Sequence, residues 1–226
     1  MHPSAQADYV MRVGLSACAA IFTLVAVSAQ PPAWTTWSAT QATTVGTSTI
    51  ARGRIAGGRR ILNTERARSY KLMATWMTPE VVQASARLLQ LRSRLTDGQT
   101  LEVLNEAQGA GDTVIVIDLD PDEGSGVIPL EWEAFLQPGH GPDRAVPGQK
   151  APALRDVKAL AGVAPRNYDY DRFWMIFPLT AADGQPLFRD TDAEAELAVR
   201  IYDREGRVTW PIPPSIRARG RAPSER

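Results

Sequence analysis

The hydrophobic period of the chain changes near residue 112, and this change limits the possible folds more than any other feature of the sequence. Residues 81–95 place apolar side chains three and four positions apart, which is the spacing of an amphipathic helix, and a second helical segment follows before Gly109. Residues 112–213 contain short alternating or β-branched segments, separated by turn sequences such as Asp183-Gly184. The segment "AELAVRIY", residues 195–202, is predicted as a strand that ends at the turn "DREG", residues 203–206. A helical part therefore precedes a β part, and the absence of βαβ alternation argues against a parallel sheet.

Two helices are predicted in the first part by their start signals. Thr78 is a candidate N-cap, and Pro79 follows it at the first helical position. Thr96 and Gln99 have the spacing of a capping box, and the glycines of residues 109–111 end the second segment. Residues 66–111 are therefore predicted to form a helical hairpin.

The second part, residues 112–213, is predicted to form several antiparallel strands. Residues 113–119, "TVIVIDL", are β-branched and apolar almost throughout, as in a strand that is covered on both faces. Residues 128–136, "IPLEWEAFL", alternate, and this pattern assigns Leu130 and Trp132 to the buried face. The sequence predicts an α+β fold, in which an N-terminal helical hairpin precedes an antiparallel β-sandwich, Ig-like in general architecture.

The amino terminus has the pattern of a secretory signal peptide. The apolar run of residues 13–27 follows a positive charge, and residues 27–29, "VSA", fit the small-x-small rule for cleavage after Ala29. The run is shorter than the roughly 18 residues that span a bilayer. Cys18 lies in a lipobox-like "LSAC", but most of the apolar run follows it, which disfavours a lipoprotein. We expect a secreted or periplasmic protein without a transmembrane segment after cleavage of residues 1–29.

Charge is distributed unevenly along the chain, although the net charge is zero. Residues 30–96 carry ten basic and two acidic residues, whereas residues 97–205 carry nine and 21. Composition predicts a flexible basic leader over residues 30–65 and a disordered basic tail over residues 214–226. These arms are either solvated chain or contacts for a polyanion or membrane surface. The arginines concerned are Arg52, Arg54, Arg59, Arg60, Arg217, Arg219 and Arg221.

Several kinds of catalytic chemistry lack the residues they need. After Ala29 the chain has no cysteine and one histidine, His140, and it has no G-x-S-x-G sequence to accompany that histidine. Nucleotide-binding glycine motifs are also absent, so we expect no nucleotide cofactor. These absences favour a non-catalytic binding or scaffolding protein of the cell envelope, with a protein or glycan partner.

Alternating acidic residues suggest a calcium site, because calcium prefers oxygen ligands. Residues 118–122 match the start of an EF-hand loop, but Glu123 and Pro129 occupy positions that need Gly and Glu. An EF-hand is therefore disfavoured, and a calcium site shared between two loops and an ordinary acidic turn remain as alternatives. The predicted ligands are Asp118, Asp120, Asp122, Asn167, Asp169 and Asp171. Asp190 and Asp192 alternate in the same way.

A carboxylate pair offers a catalytic alternative. Glu131 and Glu133 flank Trp132, and two carboxylates across a cleft are sufficient for glycan hydrolysis. Trp132, however, occupies the apolar register of its segment, which favours a core position over a sugar platform. The carboxylate pair of Glu131 and Glu133 nevertheless keeps a carboxylate-dependent glycan hydrolase as an alternative to the binding function.

Overall fold

The computed structural model describes residues 33–56, 69–122, 127–139, 142–163 and 171–221. These residues form four α-helices, nine strands and several short 3₁₀ helices, which confirms the predicted mixed α+β class. The helices are α1 Ala39–Thr47, α2 Pro79–Ser93, α3 Asp97–Gln108 and α4 Pro214–Arg221. The strands are β1 Ile50–Ile55, β2 Tyr70–Trp76, β3 Thr113–Pro121, β4 Glu133–Pro138, β5 Val146–Pro147, β6 Gln149–Lys150, β7 Asp171–Phe177, β8 Glu194–Ile201 and β9 Arg204–Pro211.

The predicted signals start α2 and α3. The Thr78 hydroxyl accepts a hydrogen bond from the backbone N–H of Val81, at 3.3 Å. Thr96 and Gln99 form the predicted capping box, in which each side chain accepts from the backbone N–H of the other residue. The two helices are not N-terminal, however, because α1, β1 and β2 precede them. Strand β2 lies inside the region that the sequence assigned to the hairpin.

The strands form two antiparallel sheets. One has the order β1-β2-β3-β7-β6 and the other has the order β5-β4-β8-β9. Strands β5 and β6 are separated by Gly148 alone, so this short segment passes from the second sheet to the first. Apolar side chains of both sheets belong to one buried cluster, which includes Leu72, Ile117, Leu136 and Leu197.

The opposite face of the five-stranded sheet is covered by helices. Val114 and Val116 of β3 and Trp174 of β7 pack in one buried cluster with Val81 of α2 and Leu104 of α3. Strand β3 is therefore buried on both faces, as its continuous apolar sequence predicts.

The prediction of a flexible leader over residues 30–65 is wrong for residues 33–55. Ser38 and Gln41 form a capping box at the start of α1, and Trp34 is buried. Strand β1 then pairs along its whole length with β2. Composition alone failed here because the threonine hydroxyls donate to carbonyls one turn earlier within α1, and therefore do not mark irregular chain.

The predicted disordered tail also needs correction, since residues 214–221 form helix α4. Ile216 of this helix is fully buried in the core that the two sheets share. The predicted signal peptide, by contrast, lies outside the described residues. In the part of the chain that the structure describes, no helix is long and apolar enough to cross a membrane.

Candidate functional site

The three aspartates of the predicted calcium loop each contact a basic side chain. Asp118 is buried on β3 and accepts two hydrogen bonds from Arg172, at 2.6 and 3.1 Å. Lys71 of β2 donates to Asp120 at 2.9 Å. Asp122 accepts from the Arg54 guanidinium and from the Ser69 hydroxyl. These cations supply the charge compensation that a calcium ion would otherwise provide.

The other predicted calcium ligands do not complete a site among the described residues. Asn167 and Asp169 lie outside them, as does His140, whereas Asp171 is exposed at the start of β7. Across the ranges that the structure describes, no group of three or more His, Cys, Asp or Glu side chains is arranged to hold a metal ion. The shared calcium site therefore stays a prediction.

The basic residues predicted to contact a polyanion have different environments. Arg52 and Arg54 are exposed on β1, and Arg59 and Arg60 lie outside the described residues. In the tail, basic side chains contact the rest of the fold. Arg217 donates to the carbonyl of Asp192 at 2.7 Å, Arg219 donates to the carbonyl of Asp112 at 3.0 Å, and Arg221 pairs with Asp190.

The segment before β4 forms one wall of an open groove. The sequence pattern assigned Leu130 and Trp132 to one buried face, but β4 begins only at Glu133. Trp132 is buried as predicted, with 5% of its surface exposed, whereas Leu130 is 92% exposed. The groove has a volume of about 540 Å³ and is lined by Leu130, Glu131, Trp132, Glu133, Lys150, Arg200 and Tyr202.

Lys150 fixes this wall of the groove. Its ammonium group donates to the carbonyl of Leu130 at 2.7 Å and lies 4.7 Å from the centre of the Trp132 ring. Phe173 contacts the same tryptophan edge-on, with ring centres 5.0 Å apart. Burial lowers the pKa of Lys150 from its ordinary value, although the nearby Glu131 carboxylate acts in the opposite direction. The Leu130 carbonyl is therefore linked to β6 through the Lys150 side chain.

Strands β4 and β8 supply the charged floor of the groove. Glu133 and Arg200 are direct cross-strand partners in the register of these strands. The Arg200 guanidinium donates to Glu205 at 3.0 Å and lies 5.4 Å from the centre of the Phe135 ring. These contacts limit the rotamers of Arg200, while half of its side-chain surface stays exposed.

Tyr202 forms the far side of the groove in an unusual backbone conformation. It lies in the turn between β8 and β9, with φ at 56°, and 57% of its surface is exposed. A bulky residue at positive φ is uncommon, since glycine and asparagine adopt this region more readily. The sequence placed this turn at residues 203–206 and extended the strand through Tyr202. The aromatic residue directly before the "DREG" turn is the signal that sequence reasoning missed.

A second open groove, of about 560 Å³, lies near the start of β3, and its walls include Pro147, Ile176 and Pro178. Among the described residues that line it, Asp112 alone carries a charge, and its carboxylate already accepts from the N–H of Leu179 at 3.2 Å. The groove at Leu130 therefore offers more polar groups to a ligand. It includes both glutamates of the predicted carboxylate pair.

The groove combines two carboxylates, two cations, an exposed leucine and an exposed tyrosine. Its side chains come from the segment before β4, from β4 itself, from β6, from β8 and from the turn that follows β8. Such a surface can desolvate an apolar group of a ligand while hydrogen-bonding to polar groups at its rim. Comparisons of the chain with family models, with curated proteins and with solved structures gave no match in any of the three.

Proposed function

We propose that the protein is a non-catalytic binding protein of the cell envelope and that the groove at Leu130 and Tyr202 is its binding site. The observation that carries the proposal is the 92% exposure of Leu130, two residues before the buried Trp132, in a groove that it shares with the exposed Tyr202. Burying apolar surface stabilises a complex by about 25 cal/mol per Å² removed from water. A single exposed leucine is common on protein surfaces, but Leu130 shares an open groove with the exposed Tyr202, and a concave surface with apolar and polar groups is a usual ligand site.

The proposal also retains the β-sandwich, Ig-like in general architecture, as the scaffold of the site. The shared core of the two sheets supports it, because apolar side chains of both sheets pack together. Loops at the ends of such a scaffold are the usual place for recognition, since rigid strands position them. Tyr202 and the segment ending at Trp132 flank strands in this way.

Small organic probes test the location of the site without a known partner. We expect phenol and isobutanol, titrated into isotopically labelled protein, to shift the NMR signals of Leu130, Lys150 and Tyr202 most strongly and saturably. Leu101, which is also partly exposed but lies on α3, is the control and should not shift. Saturable shifts confined to the second groove, or no saturable shift at all, would contradict the proposal.

Glycan hydrolysis remains the second candidate function, because Glu131 and Glu133 line the same groove. A hydrolase would release reducing ends from a panel of soluble glycans, and the activity would disappear in Glu131→Gln and Glu133→Gln. Under the binding proposal we expect no release by the native protein. Turnover that both substitutions abolish would replace the binding proposal with the hydrolase.

A further inference from the structure

We infer that the groove recognises an extended protein segment, which inserts one apolar side chain between Leu130 and Tyr202 and presents charges of both signs to the rim. The inference rests on the proposed binding function and names the class of ligand. Four features of the groove support it: the backbone conformation of Tyr202, the fixed position of Leu130, the covered ring of Trp132 and the balance of charges.

The two-residue turn between β8 and β9 requires a positive φ at Tyr202, a position that glycine or asparagine usually occupies, so the choice of tyrosine there is unusual. With φ at 56°, the residue occupies the left-handed region, where a side chain meets steric strain that glycine avoids. More than half of the tyrosine surface is exposed, so its ring is accessible to a ligand in the groove. Strained residues at a binding surface point to function when a relaxed alternative would serve the fold better.

The backbone of Leu130 is held by contacts with its neighbours. The hydrogen bond from Lys150 to its carbonyl and the packing of the adjacent Trp132 between Lys150 and Phe173 hold its backbone. A ligand therefore meets a backbone segment that the fold already holds, which lowers the ordering cost of association. An exposed tyrosine beside an arginine matches the composition of protein-binding surfaces, in which both residue types are enriched.

The contacts of Trp132 disfavour a sugar as the ligand. Sugar rings stack on open aromatic faces, but Lys150 lies over this ring and Phe173 packs against it edge-on. Only 5% of the tryptophan surface is exposed. The most exposed apolar group in the groove is instead the aliphatic side chain of Leu130, which suits an apolar amino-acid side chain.

The charges of the groove specify the flanks of the ligand. Lys150 and Arg200 contribute two positive charges, while Glu131 and Glu133 contribute two negative charges. A surface with balanced charges favours a ligand that carries both signs in complementary places, and it disfavours a uniformly acidic or basic ligand. The ligand that fits is a segment with one apolar anchor between an acidic and a basic residue.

A random library of displayed 12-residue peptides provides the test. Selection on the native protein should enrich peptides with an aliphatic or aromatic anchor between charges of opposite sign. In Leu130→Ser we expect the affinity of the selected peptides to fall at least about tenfold, as at an interface hot spot. Leu101→Ser, a matched change on α3, should leave that affinity unchanged.

The substitution Tyr202→Gly tests whether the tyrosine side chain contributes to peptide binding independently of its effect on stability. It should raise the melting temperature, because glycine relieves the left-handed strain, and still weaken the selected peptides at least about tenfold. Arg94, with φ at 54° at the end of α2, provides the control. Arg94→Gly should also raise the melting temperature but leave the affinity unchanged. Full peptide affinity in Tyr202→Gly would overturn the role of the tyrosine.

Two results would overturn the inference as a whole. One is that no peptides are enriched, or that the enriched peptides bind Leu130→Ser as well as the native protein. The other is that soluble chitin oligosaccharides bind the groove, with shifts at Leu130 and Tyr202, while no peptide does. In either case the proposed binding site stands if phenol and isobutanol still give saturable NMR shifts at the groove. Loss of that mapping would instead remove the proposed function.

Discussion

Asp192 shows how one acidic loop residue can serve the fold. Its carboxylate accepts two hydrogen bonds from the Arg144 guanidinium, at 2.8 and 2.9 Å, and a third from the backbone N–H of Arg189, at 2.7 Å. Both side chains of the ion pair are largely buried, with 17% and 13% exposure. The hydrogen bonds from Arg144 hold the pKa of Asp192 below its ordinary value, although burial acts in the opposite direction. The alternation of Asp190 and Asp192 therefore has a structural explanation.

Replacing Asp192 by asparagine should destabilise the protein in a pH-dependent manner. A carboxyl group whose pKa falls on folding stabilises the native state above its unfolded pKa of 3.8. That contribution is lost as the pH falls from 3.8 through the lower folded pKa. We expect Asp192→Asn to lose about 2 kcal/mol of unfolding free energy between pH 5 and 7 and progressively less below pH 4. Urea denaturation of both proteins across this pH range measures the difference.

An exposed aspartate provides the control for this experiment. Asp203 approaches Arg204 at 3.8 Å, but 87% of its side chain is exposed. Exposed ion pairs contribute about 0 to 1 kcal/mol, so Asp203→Asn should change the unfolding free energy very little at any pH. A loss in Asp192→Asn that stays constant down to pH 3 would show that the lost interaction is not that of an ionised carboxylate.

Among the helices and strands, the sequence predicted those whose start or burial depends on residues close together in the chain. The caps at Thr78 and Thr96 need residues within one turn, and both are formed. Strand β3 needs a nearly continuous apolar sequence, and residues 113–117, "TVIVI", supply it. Strand β1 lacks such a signal, because Arg52, Gly53 and Arg54 interrupt its apolar residues. Its place depends on β2 and on β9, which are distant in sequence.

The groove could not be predicted for the same reason. Its residues come from segments that are far apart in the sequence, and two of them contradict their local patterns. Leu130 follows the alternation of a buried strand, yet β4 begins after it, at Glu133. Tyr202 ends an apolar segment but lies in the turn that follows β8. Trp132 was correctly predicted as buried, since its pattern and its packing agree.

Glycines allow β1 and β9 to approach each other closely. A Cβ on Gly206 would lie 2.8 Å from the carbonyl oxygen of Arg54, and a Cβ on Gly53 would lie 2.6 Å from that of Arg207. Because these neighbours are backbone atoms, they cannot rotate away as a side chain can. The strands of the two sheets therefore meet here through paired glycines.

Gly206→Ala should test this approach. We expect the substitution to lower the unfolding free energy by about 1 to 3 kcal/mol, because the added methyl group forces the two strands apart. Gly98→Ala is the matched control, since Gly98 lies in the first turn of α3 and an added Cβ would meet only the Thr96 hydroxyl oxygen, at 4.0 Å. The control should be neutral or slightly stabilising, because alanine favours the helix. Equal effects of the two substitutions would contradict a close approach of β1 and β9.

At the scale of the whole molecule, the basic tail connects distant parts of the fold. Ser215 donates to Glu80 of α2 at 2.9 Å, and Arg219 donates to the carbonyl of Asp112, next to β3. Arg217 donates to the carbonyl of Asp192, the residue that binds Arg144. Two of the guanidinium groups that suggested a polyanion contact, those of Arg217 and Arg219, thus donate to backbone carbonyls of their own chain.

Ile216 anchors this tail, so its truncation should affect the whole fold. The side chain is fully buried in the core that both sheets share. Replacing a buried isoleucine by alanine costs about 2 to 5 kcal/mol, because it removes apolar contacts and leaves a cavity. Ile216→Ala should therefore lower the melting temperature markedly, in one cooperative transition. In Arg221→Gln we expect a small change, because 53% of the arginine side chain is exposed in its pair with Asp190. A tail that hangs free in solution would give the same melting temperature in both variants as in the native protein, since neither side chain would then contribute to the core.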